Sequence, residues 1–272
     1  MTAFAARRHA YKPNTNYIQT ETVTNAAGAT LASYTYTYRA DGLKASETDI
    51  TLNAGGTTYD KRTLTWTYDG PDRLTQEKSV DSTNSALNYT EGYSYDLDSN
   101  RVGETEDQGN TGSTTDTITS TYNADNELTQ AVDANTGTTV YTYGNNGSQI
   151  SVTSPAGTTI NVYDLQGRLA SVVNRNTSGV ATSSATHLYD DAGNRGAEMT
   201  VTGTNSPVTT YFLVDTQTQT GYAQVIEQSI TPGTPTMSYV WGLNLIAQNN
   251  ATGANVGTYY FIVDGHGSTV AS

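Results

Sequence analysis

Apolar and polar positions alternate with a period of two over short stretches along most of this chain. Tyr34-Thr-Tyr36-Thr-Tyr38, Trp66-Thr-Tyr68, Tyr93-Ser-Tyr95 and Tyr141-Thr-Tyr143 are the plainest cases. Successive side chains of a strand point to opposite faces, so each set of rings shares one face of a β-strand. Each stretch runs into a turn signal. In Tyr163-Asp164-Leu-Gln-Gly167-Arg168-Leu169 the Asp164 carboxylate can accept bonds from backbone N–H groups ahead of it. Gly167 can take the positive φ that closes a bulged turn, and Leu169 resumes a return strand. The pattern predicts an antiparallel hairpin at each such segment.

The segment recurs. Tyr189-Asp190-Asp-Ala-Gly193-Asn194-Arg195 is the second clear copy, and Tyr68-Asp69-Gly-Pro-Asp72-Arg73-Leu74 and Tyr95-Asp96-Leu-Asp-Ser99-Asn100-Arg101 stand close to it. Weaker copies begin at Tyr38, Tyr122 and Tyr143, so the anchoring tyrosines are spaced by 30, 27, 27, 21, 20 and 26 residues. Such spacing points to hairpins with elastic outer loops, such as that at Asn53-Ala-Gly-Gly56, and not to a rigid solenoid rung. One hairpin alone buries too little to be stable, whereas hairpins stacked in sequence would bury a shared face of tyrosine ladders. The expected fold is all-β: an array of about eight to ten antiparallel hairpins in a curved, spiralling sheet. Residues 1–33 are the least repeat-like and are expected to be irregular, 34–200 carry the repeats, and 201–272 continue the sheet with more specific strands.

Composition supports this class. Charged residues make up 14% of the 272 residues and Tyr supplies 20 aromatic side chains, against 2 Trp and 3 Phe. A disordered chain would carry more charge and fewer aromatics. The net charge of −13 includes only 13 Lys and Arg, with no basic cluster larger than the pair Arg7-Arg8, which argues against nucleic acid as a partner. With no cysteine, neither a disulfide framework nor a thiolate metal site can form. Nor is there an N-terminal apolar leader segment or an apolar stretch long enough to span a membrane. Either export uses another route or the chain is a piece of something longer, and the second reading is preferred.

These repeats resemble the YD repeat of bacterial Rhs proteins, also found in teneurins. After residue 200 the likeness becomes more specific. Tyr211-Phe-Leu-Val-Asp215 followed by Thr220-Gly-Tyr-Ala-Gln-Val225, then Tyr239-Val-Trp-Gly-Leu-Asn-Leu-Ile246 and Tyr259-Tyr-Phe-Ile-Val-Asp-Gly-His-Gly-Ser268, resemble segments of the RHS repeat-associated core, in the same order. The resemblance implies a long β spiral forming a hollow shell, which in polymorphic toxins encloses a C-terminal toxin or effector domain released by self-cleavage. It also implies secretion or display at a bacterial cell surface. The Asp-Pro-x-Gly junction of such families is missing from this sequence, so it is expected to stop before the cleavage site and the toxin.

Other candidate chemistry is sparse. His9, His187 and His266 lie far apart, and His187, two residues before an anchor tyrosine, reads as a strand residue. The Asp264-Gly-His-Gly-Ser268 segment reads as a turn, because a catalytic triad needs side chains converging from separate elements. Asp96-Leu-Asp98-Ser-Asn100, with Asp107 at the twelfth position, has the oxygen spacing of a calcium loop, but Arg101 stands where that loop needs glycine. Asp69, Asp96, Asp164 and Asp190 are better read as turn residues than as catalytic carboxylates, and matches to the N-glycosylation pattern are expected by chance in so Asn- and Thr-rich a chain. Trp66 and Trp241 could stack on surface glycans, although both hold positions where other repeats carry a packed tyrosine. The reading is thus a non-enzymatic, cofactor-free shell segment, with a cell-surface adhesion or carbohydrate-binding module as the alternative. Open sheet edges at both ends would invite self-association.

Overall fold

In a computed structural model the chain is all-β. The structure describes residues 4–53, 56, 58–253, 255–263 and 269–271, and among these the only helical element is a single 3-10 turn, Ser85–Leu87. Two compact units are formed, and their division falls within the tenth strand.

The first unit holds β1 (Phe4–Tyr11), β2 (Ile18–Asn25), β3 (Thr30–Tyr38), β4 (Lys44–Leu52), β5 (Tyr59–Tyr68), β6 (Leu74–Asp81), β7 (Tyr89–Tyr95), β8 (Arg101–Gln108) and β9 (Asp116–Tyr122). Each pairs antiparallel with the next in sequence. The segment before Tyr34 is therefore ordered as a hairpin, β1 with β2, instead of irregular. Its turn carries Asn14 at a positive φ of 61°.

After β10 (Leu128–Asp133), the second unit continues the meander through β11 (Gly137–Tyr143), β12 (Gln149–Ser154), β13 (Gly157–Tyr163), β14 (Leu169–Arg175), β15 (Ala181–Tyr189) and β16 (Arg195–Thr202). It goes on through β17 (Val208–Asp215), β18 (Gln224–Ser229), β19 (Met237–Trp241), β20 (Leu245–Asn250) and β21 (Gly257–Tyr260), from β11 onward again each paired with its successor. A separate short pair, β22 (Ile262–Val263) and β23 (Thr269–Ala271), follows.

Spacing between anchors varies because strands and outer turns both change length. From Tyr143 to Tyr163 the path is a six-residue strand, the tight turn at Pro155-Ala156 and a seven-residue strand. From Tyr38 to Tyr68 the strands have nine and ten residues. Outer turns at Asn25 and Asn176 copy the geometry of the inner ones, with the Asn side chain accepting N–H bonds two and four residues ahead.

Along the strands of the first unit one face is protected. On β3, Tyr34 and Tyr36 are buried while Thr35 and Thr37 are exposed, the expected two-residue period. In the first unit that face is not purely apolar: Glu21, Glu47, Asp49 and Asp81 are buried beside Val23, Ala32 and Leu64.

Candidate functional site

For a chain built of repeated hairpins, the part with work to do is the joint between one hairpin and the next. Its first component is the turn. In the turn after Tyr163, Asp164 Oδ1 accepts from the backbone N–H of Gln166 and of Arg168, both at 2.9 Å, and Oδ2 accepts from Arg168 Nε at 2.6 Å. Asp69 holds Arg73 in the same way, and Asp96 and Asp190 hold the side-chain amides of Asn100 and Asn194. At Asn123 the roles are exchanged: its amide donates to Glu127 at 2.6 Å. The fourth position of these turns is left-handed throughout, whether it is Gly167 (φ 78°), Gly193 (φ 86°), Asp72 (φ 67°), Ser99 (φ 69°) or Asn126 (φ 60°).

Partial burial raises the Asp164 carboxyl, but the Arg168 backbone N–H, the Arg168 side chain and the Gln166 N–H outweigh it and hold the group below the usual carboxylate range. Asp69 is held low by the same balance. At Asp96 and Asp190 the amides of Asn100 and Asn194 are the main lowering influence.

The second component reaches across to the neighbouring hairpin. The hydroxyl of every anchoring tyrosine donates to the carbonyl of the first residue of the preceding hairpin's return strand. Tyr38 bonds Ile18 O, Tyr68 bonds Lys44 O, Tyr95 bonds Leu74 O and Tyr122 bonds Arg101 O. In the second unit Tyr143 bonds Leu128 O, Tyr163 bonds Gln149 O and Tyr189 bonds Leu169 O. All seven distances lie between 2.7 and 3.0 Å. The third component is the turn arginine. Arg168 lies over the Tyr189 ring at 4.6 Å, Arg73 over Tyr95 at 4.7 Å and Arg39 over Tyr68 at 5.3 Å. Arg73 Nη1 also donates to Asp96 O at 3.0 Å. One guanidinium thus closes its own turn and stacks on the next repeat's anchor.

Trp66 is half-buried, with Nε1 donating to Glu77 Oε2 at 2.8 Å and the Lys44 ammonium 5.9 Å from its ring. Trp241 is 36% exposed and its Nε1 donates to Val225 O at 2.8 Å. His187, opposite Glu198 in the β15–β16 ladder, lies 3.2 Å from its carboxylate. In the calcium-like segment both terminal carboxylates are taken up locally, Asp96 by Asn100 and Asp107 by Thr111 and Gly112. Among the described residues no group of three His, Asp or Glu is placed to hold a metal ion, and no helix is long and apolar enough to cross a membrane. The segment Asp264–Ser268, with His266, lies outside the described residues.

Not anticipated from sequence is an acidic row on the protected face of the first unit. Glu77, Glu91, Glu106 and Asp116 stand directly opposite one another across β6, β7, β8 and β9. Like charges so placed repel. The Tyr89 hydroxyl donates to Glu77 and the Tyr93 hydroxyl to Glu91; burial first, then these bonds, raise both phenols above their ordinary range. The signal was available in the matching parity of Glu77 with Trp66 and Glu91 with Tyr93, but reading it requires the register between strands.

Comparison with known proteins bears on the repeat. The RHS Repeat family model matches residues 122–159, the hairpins anchored at Tyr122 and Tyr143. No curated protein matches the chain in sequence. Among solved structures, that of the Photorhabdus luminescens Tc holotoxin pore, carrying a TccC3 substitution, matches with a TM-score of 0.53 and 13% identity over 97% of this chain. A crystal structure of TcdB2-TccC3-Cdc42 matches with a TM-score of 0.50, also at 13% identity over 97%. This chain spans only 16% and 18% of those two chains. At such identity the likeness is one of fold.

Proposed function

Because the chain is an Rhs/YD-repeat protein, we propose that it is a wall segment of a secreted, toxin-type shell that encloses or presents a C-terminal effector. The observation that carries this reading is the joint. A tyrosine hydroxyl fastens each hairpin to the one before it at seven successive anchors, so the array grows by adding identical joints, as a wall must. The repeated turn aspartates and anchor tyrosines are spent within turns and joints, which supports a structural role for the repeat. The fold shared with TccC3-containing toxin structures supports an effector as the partner and a location outside the producing cell.

The test is protection. In the whole parent protein, an effector segment should resist added protease in the native state and be degraded once the wall is unfolded. Equal cleavage in both states would refute enclosure. Free strand edges at the ends of an isolated piece would favour self-association, which light scattering at several concentrations measures. Glycan stacking is the second reading, favoured by the partial exposure of the Trp241 indole. Binding on a glycan array that is lost in a folded Trp241→Ala variant would support it.

A further inference from the structure

Glu47 and Asp49 occupy alternate positions of β4, so both side chains lie on the protected face, and they are only 5% and 7% exposed. Each has a cation on one side. Lys44 Nζ donates to Glu47 Oε2 at 3.1 Å, and Arg62 donates to Asp49 Oδ2 from Nη2 at 2.8 Å and from Nε at 3.2 Å. Asp49 Oδ1 is enclosed and accepts no hydrogen bond from any described residue. An enclosed carboxylate oxygen without a donor is costly, and such groups are normally satisfied.

The neighbouring strands do not supply that donor. On β3, Tyr36 stands opposite Glu47 and Tyr34 opposite Asp49. On β5, Leu64 is opposite Glu47, Arg62 opposite Asp49 and Asp60 opposite Thr51, with Trp66 further along the same face. Beyond these strands, Glu21 lies opposite Tyr34 and Asp81 opposite Arg62, adding acid and not base. Lys44 is further engaged with the Tyr36 ring, 3.9 Å from its centroid. No three acidic or histidine side chains are placed to share a metal ion among the described residues. The group that fits between two buried carboxylates two positions apart is a proton.

We propose that Glu47 and Asp49 form a proton-binding pair, in which Glu47 carries a proton on Oε1 and donates it to Asp49 Oδ1, making the first unit a pH-sensitive element. The proton comes from solvent as the unit folds and returns to solvent when Glu47 ionises, leaving two adjacent buried anions against Lys44 and Arg62. Burial pushes the Glu47 carboxyl up to about 7; Lys44 opposes this, and the charge and hydrogen bond of Asp49 reinforce it. A folded value above the unfolded 4.5 means that the stabilisation is complete below 4.5 and is lost as the pH rises through about 7. The unit tightens in acid and loosens toward alkaline pH.

The test is denaturant unfolding of this chain at pH 5 and pH 8, beside Glu47→Gln, which keeps a donor for Asp49 but cannot ionise. The wild-type unfolding equilibrium constant should rise on the order of a hundredfold more between the two pH values than that of the variant. Every ionisable group other than Glu47 is common to both proteins, so the comparison isolates Glu47. An equal pH response in the two overturns the proposal. Should Glu47→Gln fail to fold, carbon NMR of the wild-type glutamate carboxyls decides. One midpoint near 7, moving down in Asp49→Asn, supports the pair; every glutamate midpoint below about 5.5 overturns it.

Discussion

The phenolic oxygen of Tyr189 lies 2.9 Å from the carbonyl oxygen of Leu169, the residue at which the preceding return strand begins, and Arg168, one residue before Leu169, lies over the Tyr189 ring. The hydroxyl and the ring of one tyrosine thus engage two consecutive residues of the neighbouring turn. Removing only the hydroxyl, in Tyr189→Phe, should cost about 0.5–1.5 kcal/mol. Tyr189→Ala should cost more, because packing and the cation–π contact go as well. Denaturant midpoints with unchanged slope are the measurement; a Phe variant as stable as wild type would show that the joint is held by the ring alone.

A second prediction isolates the arginine. Arg168→Lys keeps the charge but loses the planar fork that bonds Asp164 while lying on Tyr189. Its expected cost is about 1 kcal/mol. A double-mutant cycle with Tyr189→Phe should show coupling between the two changes, since both act at one joint. Strict additivity would mean that the hydroxyl bond and the arginine contact act independently.

These joints were only half legible in the sequence. The bonds from backbone N–H groups to Asp164 span at most four residues, so turn chemistry exposes them directly, whereas the Arg168 side chain closing on the same carboxylate was not read from the sequence. The acceptor of the Tyr189 hydroxyl lies twenty residues upstream, at a distance fixed by strand and outer-turn lengths that vary from repeat to repeat. Period-two alternation likewise revealed the tyrosine face, but the acids sharing it, Glu47 and Asp49 opposite Tyr36 and Tyr34, emerge only from the register of β3 with β4. The first hairpin escaped notice because its turn, residues 12–17, is one residue longer than that between Tyr163 and Leu169 and opens on Lys12 instead of an aspartate.

Glycine positions should separate into two grades. A Cβ at Gly157, where φ is 141°, would lie 2.0 Å from the backbone carbonyl oxygen of Arg175. Gly157→Ala must therefore push β13 away from β14, and should cost about 3 kcal/mol or more from overpacking and strain together. At Gly167, φ is 78° but a Cβ would meet nothing within 4 Å, so Gly167→Ala should cost about 1 kcal/mol from strain alone. Thermal or denaturant unfolding of the two variants checks the order, and equal losses would contradict the β13–β14 register.

Acid should act on the turns in the direction opposite to its action on Glu47. Asp69, Asp96, Asp164 and Asp190 all have folded values below the 3.8 of an ordinary aspartate. Their contribution is present above 3.8 and is lost as the pH falls through the lower folded values. Replacing all four by Asn keeps an acceptor for the backbone N–H groups, as Asn123 does in its own turn, but removes the titration. This variant should be less stable than wild type at neutral pH and should lose less additional stability on going from pH 5 to pH 2. With Glu47 weakening the fold on the alkaline side, wild-type stability should peak in mild acid, between the turn aspartates and the Glu47 midpoint. Circular dichroism across a pH series reads both limbs. An acid limb unchanged by the four substitutions would move the origin of acid sensitivity away from the turns and onto the buried face of the first unit.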